Sequence, residues 1–416
     1  NDGYGLSVKT VRRAAQNGYK VLITVDNGIT AFEPALEAKK LGLDLIITDH
    51  HRPHDHLPES FAVVDPYQID CQYPYKKFAG VGVSFKVLSL VYQYLNLKLP
   101  DKVYELLLLG TVADVVPITG ENRFWVRYGL NLVNNSDYAA RSLSLKVLKE
   151  NARVAKPNLS ATDIGFFLAP QINALGRLED PRQGVAFLIS DNEEEVRHIG
   201  KILKELNESR KGIEKNIFSQ IESMVNSGQI DLTNDQVITA AGSWPPGVIG
   251  LVASRLVGAY ARPAIVLHLT QDGLAKGSCR SIKDFNMFNA LSKCSDLLIN
   301  FGGHAAAAGM SLDAKNLPEL KERLNLLMRQ ELPDFDFKHK LSIDSQLVLS
   351  EANKKLMSDL QYLEPFGCEN QQPLFYVKDV SLIDSPVLLK DAHVKCSVFA
   401  DGVIKPVIFF SRPELF

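Results

Sequence analysis

The tetrad Thr48-Asp49-His50-His51 stands directly after the apolar run Leu43-Asp44-Leu45-Ile46-Ile47. A short apolar run bounded by polar residues reads as a strand buried in a parallel sheet. A second β-rich run, Val21-Leu22-Ile23-Thr24-Val25, ends in Asp26-Asn27-Gly28. Between them lies a helix candidate from Ala31 to Leu41, with Gly42 where a left-handed C-cap belongs. Strand, helix and strand make one βαβ unit, so both strands aim their carboxyl ends at the same rim. That rim is where open α/β sheets bind ligands. Two carboxylates brought to one rim repel each other unless a cation lies between them. Carboxylate oxygen together with imidazole nitrogen suits a divalent transition metal.

The next elements extend the pattern. Ala62-Val63-Val64 reads as a third short strand, and Asp65-Pro66 as the turn after it. Gly80-Val81-Gly82 opens a helix from Ser84 to Leu95, its bare backbone able to approach a phosphate. Tyr104 to Val112 is an apolar helix with Asp114 just past its end. A carboxylate there meets the negative end of the helix dipole, a conflict that a bound cation removes. Asp114 is therefore a third candidate ligand.

Composition narrows the function classes. The 416 residues suffice for two to four domains, and 46% apolar with 23% charged residues is the balance of a soluble globular protein. A formal charge of −2 means that a nucleic-acid enzyme of this kind must concentrate its positive charge in a groove. Cys71, Cys279, Cys294, Cys368 and Cys396 form no Cys-x-x-Cys pair, which argues against a zinc ribbon and for a reducing compartment. No apolar run reaches the ~18 residues of a membrane span. The chain opens on Asn1 rather than Met, so a fragment is expected.

Residues 120 to 190 read as helical and irregular, punctuated by Pro157, Pro170 and Pro181, with Arg177 in a loop at Gly176-Arg177-Leu178. Glu193 to about Val225 reads as one long solvated helix. Val237 to Ala241, a glycine-led helix from Gly247 to Val257, and Ala264 to Leu267 start a second, smaller α/β domain. Its candidate substrate loops are Gly277-Ser278-Cys279-Arg280-Ser281 and Gly302-Gly303-His304-Ala305. Gly302 and Gly303 would let the backbone approach an anion to which His304 donates. Arg255 and Arg280 could both pair with phosphates, though Arg255 fits a helix surface equally well. Beyond Pro333-Asp334-Phe335, short β-like runs with interleaved aromatics and Lys suit an OB-type barrel that stacks single-stranded bases.

Asp49-His50-His51 after a strand, with Val25-Asp26-Asn27-Gly28 upstream, resembles the DHH phosphoesterases. Further stretches resemble, in order, the bacterial single-strand-specific 5′→3′ DNA exonucleases of that family. They are Asp2-Gly3-Tyr4-Gly5-Leu6, Gly110-Thr111-Val112-Ala113-Asp114-Val115-Val116-Pro117, Asn173-Ala174-Leu175-Gly176-Arg177-Leu178, Gly247 to Arg255, Gly302-Gly303-His304-Ala305 and Leu363-Glu364-Pro365-Phe366-Gly367. The resemblance implies an α/β fold with a parallel-sheet DHH domain over 1–192, a bridging helix over 193–228 and a DHH-associated domain over 229–332. An OB-like β-barrel over 340–416 would follow.

The resemblance also implies a metal-dependent exonuclease of DNA repair and recombination. Two Mn²⁺ or Mg²⁺ ions about 3.5–4 Å apart would clamp the scissile phosphate. Asp26, Asp49, His50 and Asp114 are the expected ligands, with Asp49, His50 and His51 as the catalytic triplet and His51 on the phosphate. Arg177, Arg255, Arg280, Gly302, Gly303 and His304 would hold the strand or its 5′ phosphate. Single-stranded DNA is the expected partner, with a single-strand-binding protein and a helicase beside it, for a cytoplasmic monomer without a membrane role. A cleft admitting one strand would exclude a duplex.

The chain departs from the family pattern in three places. Pro245 stands where a His usually follows Trp244, and Glu369-Asn370-Gln371 replaces a usual Gly-Asn-Pro. The family's N-terminal Asp-x-Asp strand, which supplies two further carboxylates, is expected upstream of Asn1. Two other readings remain open: a DHH hydrolase of small nucleotides or short oligonucleotides, and a non-catalytic scaffold.

Overall fold

The computed structural model describes residues 5–415, so the Asp2-Gly3-Tyr4 part of the first family stretch lies outside the described residues. The chain forms two units, one built from residues up to Ala169 together with Ser342 onward, the other from Pro170–Leu341.

The first unit opens with α1 (Val8–Gln16), whose N-terminus is capped by the Ser7 hydroxyl accepting from the Thr10 N–H. Then come β1 (Val21–Val25), α2 (Phe32–Lys40), β2 (Asp44–Thr48) and β3 (Ala62–Val64). Pro34 falls in the first turn of α2, where a missing N–H costs nothing. The strands form a parallel sheet in the order β1-β2-β3. Register sets Val25 opposite Thr48 and Thr48 opposite Val64, so the residues that follow, Asp26, Asp49 and Asp65, come out level at the carboxyl rim. Val11, Ala35, Ala38, Leu45 and Ile47 are buried together and fasten α1 and α2 to one face. Val11, Leu45 and Ile47 each contribute roughly 1.5–3 kcal/mol by leaving water, and the two alanines less. Among the described residues β1 is an edge strand, with Val21, Ile23 and Val25 half-exposed.

α3 (Gly80–Tyr94) packs on β1 and β2, and α4 (Asp101–Ala113) and α5 (Gly120–Val133) pack beyond it. Close crossings depend on glycine: a β-carbon on Gly110 would lie 2.8 Å from Val81, and one on Gly129 2.7 Å from Leu108. α6 (Ser136–Arg141), α7 (Leu143–Ala152), α8 (Ala161–Asp163) and a π-helical turn, Ile164–Leu168, complete this part.

In the second unit, α9 (Ala169–Leu178) and α10 (Arg182–Ile189) precede α11 (Glu193–Asn226). α11 has 34 residues, about 51 Å at 1.5 Å per residue. Its N-terminus carries the Asn192 cap and Glu193, Glu194 and Glu195, which complement the helix dipole. The sheet that follows contains β4 (Ile238–Gly242), β5 (Ala264–Leu269), β6 (Leu274–Arg280), β7 (Asn300–Gly303) and β8 (Ala307–Asp313), ordered β4-β5-β6-β8-β7. β4 and β5 are parallel and the remaining pairs antiparallel. Alternation along β5 divides the core: Ala264 and Val266 pack with α11 and α12 (Pro246–Tyr260), while Ile265 and Leu267 pack with α13 (Met287–Ser292) and α14 (Leu317–Glu331).

Three expected loops are regular structure instead. Arg177 sits on the last turn of α9, because Ala174 and Leu175 bury a helical face and Gly176 faces open space rather than breaking the helix. Gly277 to Arg280 belong to β6, where a β-carbon on Gly277 would press Met310 at 3.1 Å. Gly302 and Gly303 end β7, leaving His304 just past it.

The C-terminal segment contains β9 (Ser345–Gln346), α15 (Lys354–Gln361), β10 (Phe375–Tyr376), β11 (Ser381–Leu382), β12 (Val387–Leu389), β13 (His393–Ala400) and β14 (Val403–Phe409). β13 is the centre: β14 pairs along one edge, and β11 and β12 share the other. β9 and β10 form a separate parallel pair, so the described strands join in two pieces rather than closing a ring.

Candidate metal centre

The parallel register delivers Asp26 and His50 to one rim, and the end of α4 brings in Asp114. Asp26 has φ +64, a left-handed conformation unusual for a residue with a β-carbon, and its N–H donates to the Thr48 carbonyl at 3.0 Å. Gly80, the first residue of α3, packs against its carboxylate: a β-carbon there would lie 2.5 Å from Asp26 Oδ1. The glycine expected to approach a phosphate thus makes room for a carboxylate.

His50 is oriented by the Phe78 carbonyl oxygen, 2.8 Å from Nδ1. A carbonyl only accepts, so Nδ1 carries the hydrogen and Nε2 is turned inward. Nε2 lies 2.9 Å from Asp26 Oδ1 and 3.7 Å from Asp114 Oδ2. Apart from His50 Nε2, the buried Asp26 Oδ1 has no donor within reach. In the neutral imidazole, lone pairs then face one another, an arrangement that a proton or a metal ion on Nε2 resolves. Burial works against the charged form of His50, but the Asp26 hydrogen bond and the charges of Asp114 and Asp26 outweigh it and raise its pKa. Burial likewise raises the Asp114 carboxyl, with Asp26's charge adding and His50's opposing.

Donor atoms of Asp26, His50 and His51 lie within 4.8 Å of one another, a spacing one cation can span. Asp49 is spent differently. Only 1% exposed, it accepts at Oδ2 from the Ile29 N–H at 3.0 Å. Oδ1 faces the His50 N–H at 2.8 Å, the His51 N–H at 3.2 Å and His51 Nδ1 at 2.7 Å. Burial alone would raise the Asp49 carboxyl, but His51 and these backbone donors lower it overall. The same Asp49 contact raises the His51 imidazole. Asp49 thus sits among the expected ligands with both oxygens engaged by protein.

Two contributors carried no clear signal in the sequence. Asp65 reads from the sequence as a turn residue, and its Oδ1 does accept from the Tyr67 N–H at 2.7 Å, yet Oδ2 is buried without a donor. Burial pushes its carboxyl up to about 6, partly offset by the Tyr67 N–H, with the charge of Asp49 adding. Asn122 is buried on α5 and donates to the carbonyls of Lys77 at 2.6 Å and Pro117 at 3.0 Å. No motif marks either role.

The second unit gathers the arginines. Arg177 donates to the Gly247 carbonyl at 3.0 Å, and Arg280 donates to Ser278 Oγ at 3.1 Å and the Cys279 carbonyl at 2.8 Å. The Arg280 guanidinium comes 3.2 Å from where a β-carbon of Gly250 would stand. Both arginines therefore meet the N-terminal turn of α12, whose positive dipole end favours anions. Although Arg177 is an exposed residue, the protein atoms crowded around its guanidinium lower its pKa, and the charges of Arg210 and Arg280 lower it further. Arg255 is exposed on α12 and lies over the Phe218 ring at 4.0 Å. His304 is exposed past β7, with its N–H donating to the Ala307 carbonyl at 2.8 Å. Gly303 has φ +138 and room for no β-carbon, while Gly302 is open. Trp244 Nε1 donates to Gln220 at 2.9 Å, and Pro245 caps α12 where the family's His was expected.

The DHH family, N-terminal domain, matches residues 5–111, the DHHA1 domain residues 234–330 and the RecJ OB domain residues 343–416. The single-stranded-DNA-specific exonuclease RecJ of Bacillus subtilis is 36% identical over 416 residues, covering 100% of this chain and 52% of the relative. The same-named protein of Salmonella typhimurium is 35% identical over 393 residues, covering 90% of this chain and 67% of the relative. A crystal structure of RecJ from Thermus thermophilus in complex with Mn²⁺ superposes with a TM-score of 0.82 at 27% identity, covering 96% of this chain and 58% of that one. The chain thus spans about half the length of its Bacillus relative.

Proposed function

The chain belongs to the RecJ family of single-stranded-DNA-specific exonucleases, and from that membership we propose that the protein is a divalent-metal-dependent nuclease that degrades single-stranded DNA from its 5′ end. The observation that carries the reading is the cluster of Asp26, His50 Nε2 and Asp114, in which the buried Asp26 Oδ1 lies 2.9 Å from Nε2 and has no other donor within reach. This donor set fits Mn²⁺ or Mg²⁺.

In this reading Asp26, His50 and Asp114 hold the metal. When bound, the ion supplies Lewis-acid stabilisation of charge developing on a phosphoryl oxygen and lowers the pKa of water. Asp49 is a positioning residue that folds the 27–29 and 49–51 segments around its two oxygens and fixes the His51 ring. Beside Asp49, the His51 ring is stabilised as a cation that donates from Nε2 to a phosphoryl oxygen. Arg177, Arg280 and the N-terminus of α12 hold a further phosphate, with His304 past the end of β7, beyond the β8 strand that pairs with β6. Arg255, exposed over the Phe218 ring, remains a further candidate to pair with the strand. The RecJ OB domain match over residues 343–416 favours a long strand over a small nucleotide as substrate.

The test is degradation of a 5′-labelled oligonucleotide, single-stranded or annealed to its complement, with Mn²⁺ or with EDTA. Mononucleotide release from the single strand alone, lost in EDTA and in Asp26→Ala, is expected. Equal attack on the duplex, or activity in EDTA, refutes the reading.

A further inference from the structure

Two loops complete the metal centre, and one turn of the C-terminal segment grips both. The first loop ends in Lys77-Phe78, whose Phe78 carbonyl orients His50. The second runs from Asp114 to Ile118. Asn122 ties them together, giving one amide group to the carbonyls of Lys77 and Pro117. From the other side, the Ile118 N–H donates to the Cys368 carbonyl at 2.7 Å, and Lys77 pairs with Glu369.

The turn itself is braced. Gly367 and Asn370 exchange backbone hydrogen bonds of 2.9 and 3.1 Å, and the Asn370 amide donates to the Leu363 and Pro365 carbonyls. Arg123 and Arg127 of α5, the helix that carries Asn122, donate to the carbonyls of Tyr362 and Glu364. There is no slack where turn meets loop: a β-carbon on Gly367 would lie 2.6 Å from Ile118 Cγ1, and Ile118 is only 3% exposed.

We propose that the Gly367–Asn370 turn is a positioning element of the metal centre, fixing both ligand loops so that His50 and Asp114 face one ion, and coupling the C-terminal strand-binding domain to that site. The turn touches neither ion nor substrate; it acts through the Phe78 carbonyl and the chain around Asp114. The proposal rests on the metal reading above and adds a residue set that the reading does not need. Changes to groups that orient metal ligands typically cost 10–100-fold in affinity.

The test is calorimetric Mn²⁺ titration of the full-length protein, with hydrolysis of a trinucleotide measured in parallel. Gly367→Ala is expected to weaken Mn²⁺ binding about tenfold and to lower kcat on the trinucleotide without changing its KM. Adding Ile118→Ala removes the atom struck by the new β-carbon and should restore the affinity. Glu369→Lys, on the exposed ion pair, carries the test should Gly367→Ala not fold. It should weaken Mn²⁺ binding roughly two- to fivefold, the scale of a surface pair, and Lys77→Glu in the same chain should reverse the loss. A folded Gly367→Ala protein with wild-type Mn²⁺ affinity, or no rescue by the second substitution, overturns the proposal alone. Wild-type protein that binds no Mn²⁺ overturns the metal reading and this inference with it.

Discussion

Gly80 and Asp26 are in contact so close that no other residue fits at position 80: a β-carbon there would stand 2.4 Å from the Asp26 β-carbon. The contact holds Asp26 in its left-handed conformation with Oδ1 turned toward His50. Gly80→Ala should therefore displace the carboxylate and weaken Mn²⁺ binding by at least about tenfold. Far-ultraviolet circular dichroism should stay native, since alanine favours a helix by up to about 1 kcal/mol over glycine. Unchanged Mn²⁺ affinity would remove Asp26 from the ligand set.

Asp49 and His50 should separate in a stability assay. Asp49→Ala leaves the buried Ile29 N–H and the part-buried N–H groups of His50 and His51 without their acceptor. A buried donor left unpaired costs about 1–3 kcal/mol, so chemical denaturation in EDTA should show a loss of at least about 1–3 kcal/mol. His50→Ala should lose Mn²⁺ binding while its midpoint in EDTA falls less than that of Asp49→Ala, because no buried backbone donor depends on it. Were Asp49→Ala as stable as the wild type, its place as the organiser of the loop would be wrong.

Asp65 predicts a pH signature. Its carboxyl is raised to about 6 from an ordinary value near 3.8. The folded state therefore holds a proton that the unfolded chain releases. Stability from this group is full below about pH 4, falls as pH rises through 4 to 6, and stays low above it. A shift of this size amounts to about 2–3 kcal/mol. Asp65→Asn keeps the acceptor for the Tyr67 N–H and removes the titration. In EDTA at pH 8 it should be more stable than the wild type, and at pH 4 nearly equal. Parallel stability curves for the two proteins across that window would show that Asp65 is not the titrating group.

The arginines at α12 predict an anion response. Phosphate in large excess over its Kd should stabilise the wild type by about 2–3 kcal/mol. Arg280→Met should abolish that response and raise the melting temperature in phosphate-free buffer, because it removes one of the charges that depress Arg177. An undiminished phosphate response in Arg280→Met would place the anion elsewhere.

The βαβ unit and the rim holding Asp26 and His50 could be read from the sequence because strand polarity and the period of burial are local properties. The use made of Asp49 could not: its acceptor role depends on the Ile29 N–H, which comes close only after the rim loops close. Arg177 was misplaced because Gly176 counts against a helix locally, while the packing of Ala174 and Leu175 is decided at a distance. Arg255 lies in a motif stretch, but its Phe218 partner is on another helix. Asn122 was out of reach, since the Lys77 carbonyl it serves is 45 residues away.

The glycines of the parallel sheet also show where the protein can be lengthened. Gly18 and Gly42 precede β1 and β2 at the amino rim, and a β-carbon on either would meet nothing within 4 Å. Gly28 and Gly80 lie at the carboxyl rim, where the same atom would strike Thr24 at 2.8 Å and Asp26 at 2.4 Å. One rim is spacious and the other is filled. Gly18 and Gly42 themselves stand at φ +79 and +66, where a side chain is strained, so a fluorophore, an affinity tag or a surface tether enters at the exposed Asn17 or Lys40 beside them, with the β1–β2 register intact and the opposite rim untouched.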